Sequence, residues 1–186
     1  MVSLSLLFTA LAMAVDLPYW IDPRPGGDPE LALWALQAWE RASGGEIHLV
    51  RAASKDVALM RVTWVTGRDG LYGETRPIVV NGQRGAELYV RPEMDGLGKE
   101  IEGAARKDKL LRDAIVYLTC LHESGHGLGL PHTAGFADIM YNFGYGGDIG
   151  EYFGRYRRKL TSRGDIRKEL GMSEADASRF RALFGK

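Results

Sequence analysis

Three of the four histidines in this 186-residue chain fall within eleven residues, at His122, His126 and His132. His122 and His126 are four residues apart, so in a helix they lie one turn apart on the same face. Gly129 follows His126 by three residues, and a glycine there can adopt the positive φ that ends a helix and reverses the chain. The spacing therefore predicts a helix that ends near this glycine and a loop that returns His132 to the same place.

Three imidazoles that converge in this way form the protein ligand set of a catalytic zinc site, which leaves a fourth position to water. Glu123 is rotated about 100° round the helix from His122, so it is predicted to be a general base and not a ligand. The pattern indicates hydrolysis of a peptide bond by a metal-activated water, with Glu123 passing the proton to the leaving amine. The alternative is that His122, which continues an apolar stripe, is a hydrogen-bonded core histidine, but Gly129 and His132 favour the metal site.

Residues 108–127 form the strongest predicted helix, and they carry the first two histidines. Its apolar stripe consists of Leu110, Leu111, Ala114, Ile115, Leu118 and Leu121. Cys120, the single cysteine, is predicted to be a buried helix residue. Asp28 is predicted to cap a first helix that ends at Gly44, and Ser173 a last helix.

Alternating apolar and polar residues predict strands over 46–51, 57–65 and 86–91, and a short apolar run over 77–80 ends at the tight turn Asn81-Gly82. Glycine and proline content predicts that three segments lack regular structure, namely 16–27, 93–106 and 144–154. Residues 155–168 contain seven Lys or Arg against one Asp, and we interpret them as a solvated helix face in preference to an anion site.

Residues 122–132 resemble the motif of the metzincin metallopeptidases. Their sequence, HESGHGLGLPH, follows the form His-Glu-x-Gly-His-x-Leu-Gly-Leu-x-His of the matrixins, the group that includes the matrix metalloproteinases. Met140-Tyr141 falls eight residues after His132, where that family keeps its Met-turn. The resemblance implies that Met140 packs beneath the zinc ligands, with Tyr141 and Gly129 in supporting positions.

The resemblance also implies a fold, and it covers residues 16–186 loosely and 111–141 closely. The implied fold is α+β, the metzincin or zincin-like fold, with a twisted mixed sheet of about five strands and three main helices. One edge strand is antiparallel in that fold, and residues 86–91 would be that strand. Its free backbone would pair with an extended substrate peptide.

The chain departs from the family at several points. His48 is the only histidine left over, so a histidine-rich second metal site is not expected, and His48 is predicted to be structural. A structural Ca²⁺ ion is left open. Residues 142–145 stand where the family usually has a proline, so the pocket wall is expected to be reshaped there. Residues 144–168 also lengthen the chain between Met140-Tyr141 and the last helix, in a role that the sequence leaves open.

Residues 1–14 are apolar and end in Ala12-Met13-Ala14, which makes them a candidate signal peptide, followed by one matrixin-like catalytic domain over 15–186. Secretion or export to the periplasm is expected. The alternative is a buried N-terminal segment or a misassigned start codon, with a cytoplasmic protein. No apolar run approaches the ~20 residues that span a bilayer. Lys plus Arg and Asp plus Glu each number 24, so no net charge attracts nucleic acid.

Together these features predict a monomeric, zinc-dependent endopeptidase with one catalytic Zn²⁺ and a protein or peptide substrate. A first alternative is a peptidase restricted to a single partner or to peptides. A second, from another class, is a non-hydrolytic zinc-containing peptide-binding protein. Glu123 argues against the second, because a purely binding protein has no task for a general base.

Overall fold

The structure, a computed structural model, describes residues 14–66 and 72–185. Within these residues five strands form one sheet: β1 (Val15–Ile21), β2 (Ile47–Arg51), β3 (Met60–Trp64), β4 (Gly73–Val80) and β5 (Gln83–Val90). The helices of the same part of the chain are α1 (Pro29–Ala42), α2 (Lys99–Lys107), α3 (Lys109–Gly127), α4 (Ile149–Arg157) and α5 (Glu174–Ala182). The result is a mixed sheet combined with five helices, two more than the three expected.

The sheet has the strand order β2-β1-β3-β5-β4, and only β4 runs antiparallel to its neighbour. An antiparallel edge strand is thus present, but the assignment of residues 86–91 to that edge was wrong, because β5 lies between β3 and β4. The polar residues of the predicted strand 86–91 suggested a solvent-facing side. Two of them, Glu87 and Arg91, are buried instead. Glu87 pairs with Lys55 and accepts a hydrogen bond from Thr63 (2.9 Å), and Arg91, just after β5, pairs with Asp95.

Strand β1 corrects a second expectation, that residues 16–27 lack regular structure. It pairs in parallel with β2 on one side and with β3 on the other. Pro18 suggested an irregular segment because proline cannot donate a backbone hydrogen bond. Its carbonyl still accepts one from the Leu59 N–H (2.8 Å), which keeps the segment in the sheet.

Helices α2 and α4 lie where loops were predicted, over 93–106 and 144–154. In α2 the buried residues Ile101 and Ala105 are one turn apart, a short stripe that the surrounding glycines and charges obscured. In α4 the Asp148 carboxylate caps the first turn by accepting from the Glu151 N–H (3.0 Å). Three aromatic residues then bury one face of α4: Tyr152, Phe153 and Tyr156.

The remaining helices agree with the sequence analysis. Asp28 caps α1, Asp108 caps α3, and Ser173 forms a capping box at the start of α5. Both α1 and α3 pack against the sheet and each other, and the indole N–H of Trp39 donates to the carbonyl of Leu121 (2.9 Å). These contacts hold α3 rigidly under the sheet.

The hairpin turn is also confirmed, since Asn81 and Gly82 both have positive φ, as a tight turn between β4 and β5 requires. In the segment 155–168, Arg157 pairs with Asp108, and Arg163 pairs with Asp28 and Asp113. Only residues 155–157 of this segment belong to an α-helix, and these two guanidinium groups bind carboxylates at α1 and α3, so the segment differs from the single solvated helix face that was expected.

The candidate signal peptide lies outside the described residues, apart from the exposed Ala14. Among the described residues, no helix is long and apolar enough to cross a membrane.

Candidate active site

The structure brings His122, His126 and His132 together at the end of α3. The Nε2 atom of His132 lies 3.1 Å from that of His126 and 3.3 Å from that of His122. Three nitrogens bound to one tetrahedral zinc ion lie roughly 3.3 Å apart, given Zn–N bonds of about 2.0–2.1 Å. The donor set and its spacing therefore fit a zinc ion, and the three residues can hold a metal.

The chain reversal after α3 follows the sequence prediction at Gly129, which has a φ of +101°. The Leu130 N–H bonds to the carbonyl of Gly125 and the Gly129 N–H to the carbonyl of His126, both at 2.9 Å, which is a Schellman motif. This reversal turns the carbonyl of Leu130 back onto Nδ1 of His126, at 2.9 Å. The same glycine thus ends the helix, redirects His132 and orients the second imidazole.

Nδ1 of His122 is held in the same manner by the carbonyl of Ile139, at 2.6 Å. A carbonyl oxygen can only accept, so Nδ1 carries the hydrogen and Nε2 keeps its lone pair. Burial also lowers the pKa of His122 to about 4, so this imidazole is neutral at pH 7. A neutral ring with a free Nε2 lone pair is the form that binds metal.

Ile139 is itself fixed by residues outside the histidine motif. Its N–H donates to the carboxylate of Asp176 in α5 (2.7 Å), and its carbonyl also accepts from the Tyr152 hydroxyl of α4 (3.1 Å). Asp138, next to Ile139, accepts from Ser173 (2.7 Å) and pairs with Arg179. The two helices that follow the motif therefore hold the carbonyl that orients His122.

Met140 lies at the position predicted for it, fully buried beneath α3. A Cβ atom placed on Gly125 would lie 2.5 Å from Sδ of Met140 and 3.0 Å from the Trp39 ring. The glycine before His126 is thus required by the close approach of these two side chains. Tyr141 is also buried, and its hydroxyl donates to the carbonyl of Gly146 (2.9 Å).

Glu123 lies in the same cavity as the three histidines, with its carboxyl turned towards β4. Its Oε2 atom accepts a hydrogen bond from the Thr75 hydroxyl at 2.6 Å. Burial raises the pKa of Glu123 to about 7 in the metal-free chain, although the bond from Thr75 acts in the opposite direction. A carboxyl with this pKa can both accept and return a proton near neutral pH.

The cavity measures about 420 Å³ and extends from the histidines towards α4. Beside the histidines and Glu123, its wall is mainly apolar and aromatic, formed by Leu97, Leu118, Tyr141, Phe143, Ile149, Tyr152 and Phe153. Three of these residues, Ile149, Tyr152 and Phe153, belong to α4. Of the residues at which the wall was expected to be reshaped, Asn142 and Phe143 line the cavity, and the contribution of α4 was not predicted.

Several residues of this site were not predicted, chiefly Thr75, Gly73 and Tyr152. Gly73 and Thr75 are two residues apart in a strand, so they share a face, but nothing in the sequence relates that face to Glu123. The contact joins residues 48 positions apart, and only the fold reveals it.

No protein-family model matches the sequence, and no curated protein does. Among solved structures, the chain is similar to the crystal structure of archaemetzincin from Methanopyrus kandleri. The identity is 15%, the alignment covers 96% of this chain and 99% of that chain, and the TM-score is 0.45. At this level the similarity by itself establishes neither a common fold nor a common activity.

Gly125→Ala tests the packing beneath the histidines. Alanine favours a helix over glycine by about 1 kcal/mol, but here its methyl group would overlap Met140 and Trp39. We expect a net loss of about 1–3 kcal/mol in the free energy of unfolding. Gly103→Ala in α2 is the control, because nothing lies within 4 Å of its Cβ position and the variant should gain stability. Urea denaturation measures both, and a stabilised Gly125→Ala would contradict the packing described.

Glu123→Gln tests the raised pKa in the metal-free chain. The pKa is about 7 in the folded chain against an ordinary 4.5, so the folded state binds the proton more tightly. The wild-type chain therefore loses stability as the pH rises from about 4.5 to 7, and the glutamine variant escapes this loss. We expect the stability of Glu123→Gln relative to wild type to grow across this range by up to about 3 kcal/mol.

Glu87→Gln is the matched control for that experiment. Burial acts against ionisation of Glu87, but hydrogen bonds from Lys55 and Thr63 hold its pKa below the ordinary value. Its ionised form is thus stabilised by folding, and Glu87→Gln should lose stability relative to wild type as the pH rises. Urea denaturation at pH 4, 6 and 8 separates the two, and the same sign for both variants would rule out the environment assigned to Glu123.

Proposed function

We propose that this chain is a zinc-dependent endopeptidase of the metzincin type. The observation that carries the proposal is the convergence of three Nε2 atoms, at 3.1 and 3.3 Å, in a cavity that also holds the buried carboxyl of Glu123. The finer assignment, to the matrixins, rests on the sequence form of residues 122–132 and on the Met140-Tyr141 pair.

His122, His126 and His132 would hold the ion, and zinc, when bound, supplies a Lewis acid that polarises a carbonyl group and acidifies water. Glu123 would take a proton at its carboxylate as water attacks the scissile carbonyl carbon, and would return it to the leaving nitrogen. Its position supports this role, because its carboxyl lies in the same cavity as the three imidazoles, within reach of a water bound there.

Strand β4 would bind the substrate. Within residues 14–66 and 72–185 it pairs with β5 on one side only, so its other edge is available there to pair with an extended peptide. A second groove, lined by Pro77, Ile78 and Val79 of β4, meets the histidine cavity at Thr75 and His126. Binding surfaces therefore extend to both sides of the histidines, which supports cleavage within a chain in preference to removal of a terminal residue.

The aromatic cavity beside His122 would receive a side chain of the substrate. Its wall is mainly apolar, and the carboxylates that line it are Glu74 and Glu123. An apolar side chain gains free energy from entering such a space, whereas an acidic one would meet these two carboxylates. A peptide library should therefore show a preference for a large apolar residue near the scissile bond.

Three variants test the division of roles. Glu123→Ala should keep about one zinc per chain and lose peptide hydrolysis by a factor of roughly 10² or more, since it removes the base and no ligand. His126→Ala should lose both zinc and hydrolysis. His48→Ala is the control, because His48 lies exposed on β2, paired with Asp16, and should keep both. Metal analysis and cleavage of a fluorogenic peptide library measure the outcomes.

Full turnover in Glu123→Ala would falsify the proposed role of the base. Zinc binding by wild type with peptide affinity but no cleavage would favour the alternative, a zinc-containing peptide-binding protein. Equal zinc loss in His48→Ala and His126→Ala would contradict the assigned ligand set.

A further inference from the structure

We propose that Thr75 is a positioning residue for Glu123, and that Thr75 and Gly73 together form a cradle on β4 for the carboxyl of that residue. The inference rests on the proposed function for its catalytic meaning. The position of the Glu123 carboxyl, by contrast, can be tested in the metal-free chain without measuring turnover.

Thr75 contacts Glu123 at two points. Its Oγ1 atom lies 2.6 Å from the carboxyl Oε2 and 2.8 Å from the main-chain carbonyl oxygen of the same residue. The main-chain contact fixes the hydroxyl relative to α3, and the side-chain contact fixes the carboxyl relative to the hydroxyl. The carboxyl therefore has a defined direction, although Glu123 has three rotatable side-chain bonds.

A threonine hydroxyl carries one hydrogen and can also accept one. It can donate to the carboxylate, or accept from the carboxylic acid while it donates to the main-chain carbonyl. Thr75 can thus remain bonded to Glu123 before and after the carboxyl takes a proton. A carboxyl that stays in place through both steps is what a proton carrier requires.

Gly73 provides the space in which the carboxyl lies. A Cβ atom at this position would lie 2.5 Å from Oε1 and 2.8 Å from Cγ of Glu123. Gly73 and Thr75 are two residues apart in β4, so both face α3. The strand thus leaves space at Gly73 and provides a hydroxyl at Thr75, the next position on the same face. Together these two residues define where the Glu123 carboxyl lies.

The same strand presents the free edge to which a peptide would pair. Thr75 lines both the aromatic cavity and the second groove, and it pairs with Leu88 of β5 on the inner side. Substrate and Glu123 would therefore be positioned by one short stretch of backbone. Their relative placement would then depend on the packing of β4 against α3.

The kinetic test compares Thr75→Val, which keeps the shape and removes the hydroxyl, with Thr75→Ser, which keeps the hydroxyl. In the zinc-loaded full chain we expect Thr75→Val to lower kcat by roughly 10- to 100-fold, part of the whole contribution of a general base. KM should change by less than about 3-fold, and Thr75→Ser should recover most of kcat. Gly73→Ala should lower kcat as well, because its methyl group displaces the carboxyl.

Thr63→Val is the matched control, since Thr63 donates the same kind of hydrogen bond to a carboxylate, that of Glu87, at 2.9 Å. It should leave kcat unchanged. The second readout is a crystal structure of each metal-free variant. The Glu123 carboxyl should leave its wild-type position in Thr75→Val and Gly73→Ala, and keep it in Thr75→Ser and Thr63→Val.

A wild-type kcat in Thr75→Val, or an unmoved Glu123 carboxyl in its crystal structure, would overturn the inference. If wild type binds zinc but hydrolyses no peptide, the proposed function fails, and the crystal structures still decide whether Thr75 and Gly73 position the carboxyl. If Thr75→Val does not fold, Thr75→Ala removes the hydroxyl without the valine methyl group and is judged by the same two measurements.

Discussion

Two hydrogen bonds between imidazole rings and main-chain carbonyl groups define the centre of this protein. The carbonyl of Leu130 holds His126 and the carbonyl of Ile139 holds His122, so each ring presents a free Nε2 atom to the same point. Both carbonyls belong to the chain after α3. The path of that segment must therefore place each carbonyl oxygen within hydrogen-bond distance of its imidazole ring. The reversal at Gly129, the burial of Met140 and the docking of α5 all serve this requirement.

The parts of the site that follow from local sequence were predictable. Two histidines four residues apart in an apolar helix lie on one face, and a glycine three residues later can end the helix and reverse the chain. The structure shows both features. The same holds for helix caps such as Asp108 and Ser173, which act within one turn. Such features depend on neighbours along the chain, and the sequence displays those neighbours directly.

The rest depends on contacts between distant segments. The place of β4 at the edge could not be deduced, because Glu87 and Arg91, whose charges suggested exposure, are buried and paired with Lys55 and Asp95. Strand β1 was missed because Pro18 lacks a backbone N–H, which argues against a central strand. The structure places β1 between β2 and β3 all the same. The cradle for Glu123 joins segments 48 residues apart, so the sequence alone provides no reason to relate Gly73 and Thr75 to this carboxyl.

The support of Ile139 by Asp176 has a consequence for how the centre matures. The two residues are 37 positions apart, and the indole of Trp39 reaches Leu121 across 82 positions. Closing loops of this length costs chain entropy, which the packing of the folded chain must offset. The orientation of His122 would thus be complete only when α5 is docked, so that assembly of the three imidazoles is coupled to the folding of segments far from them in sequence.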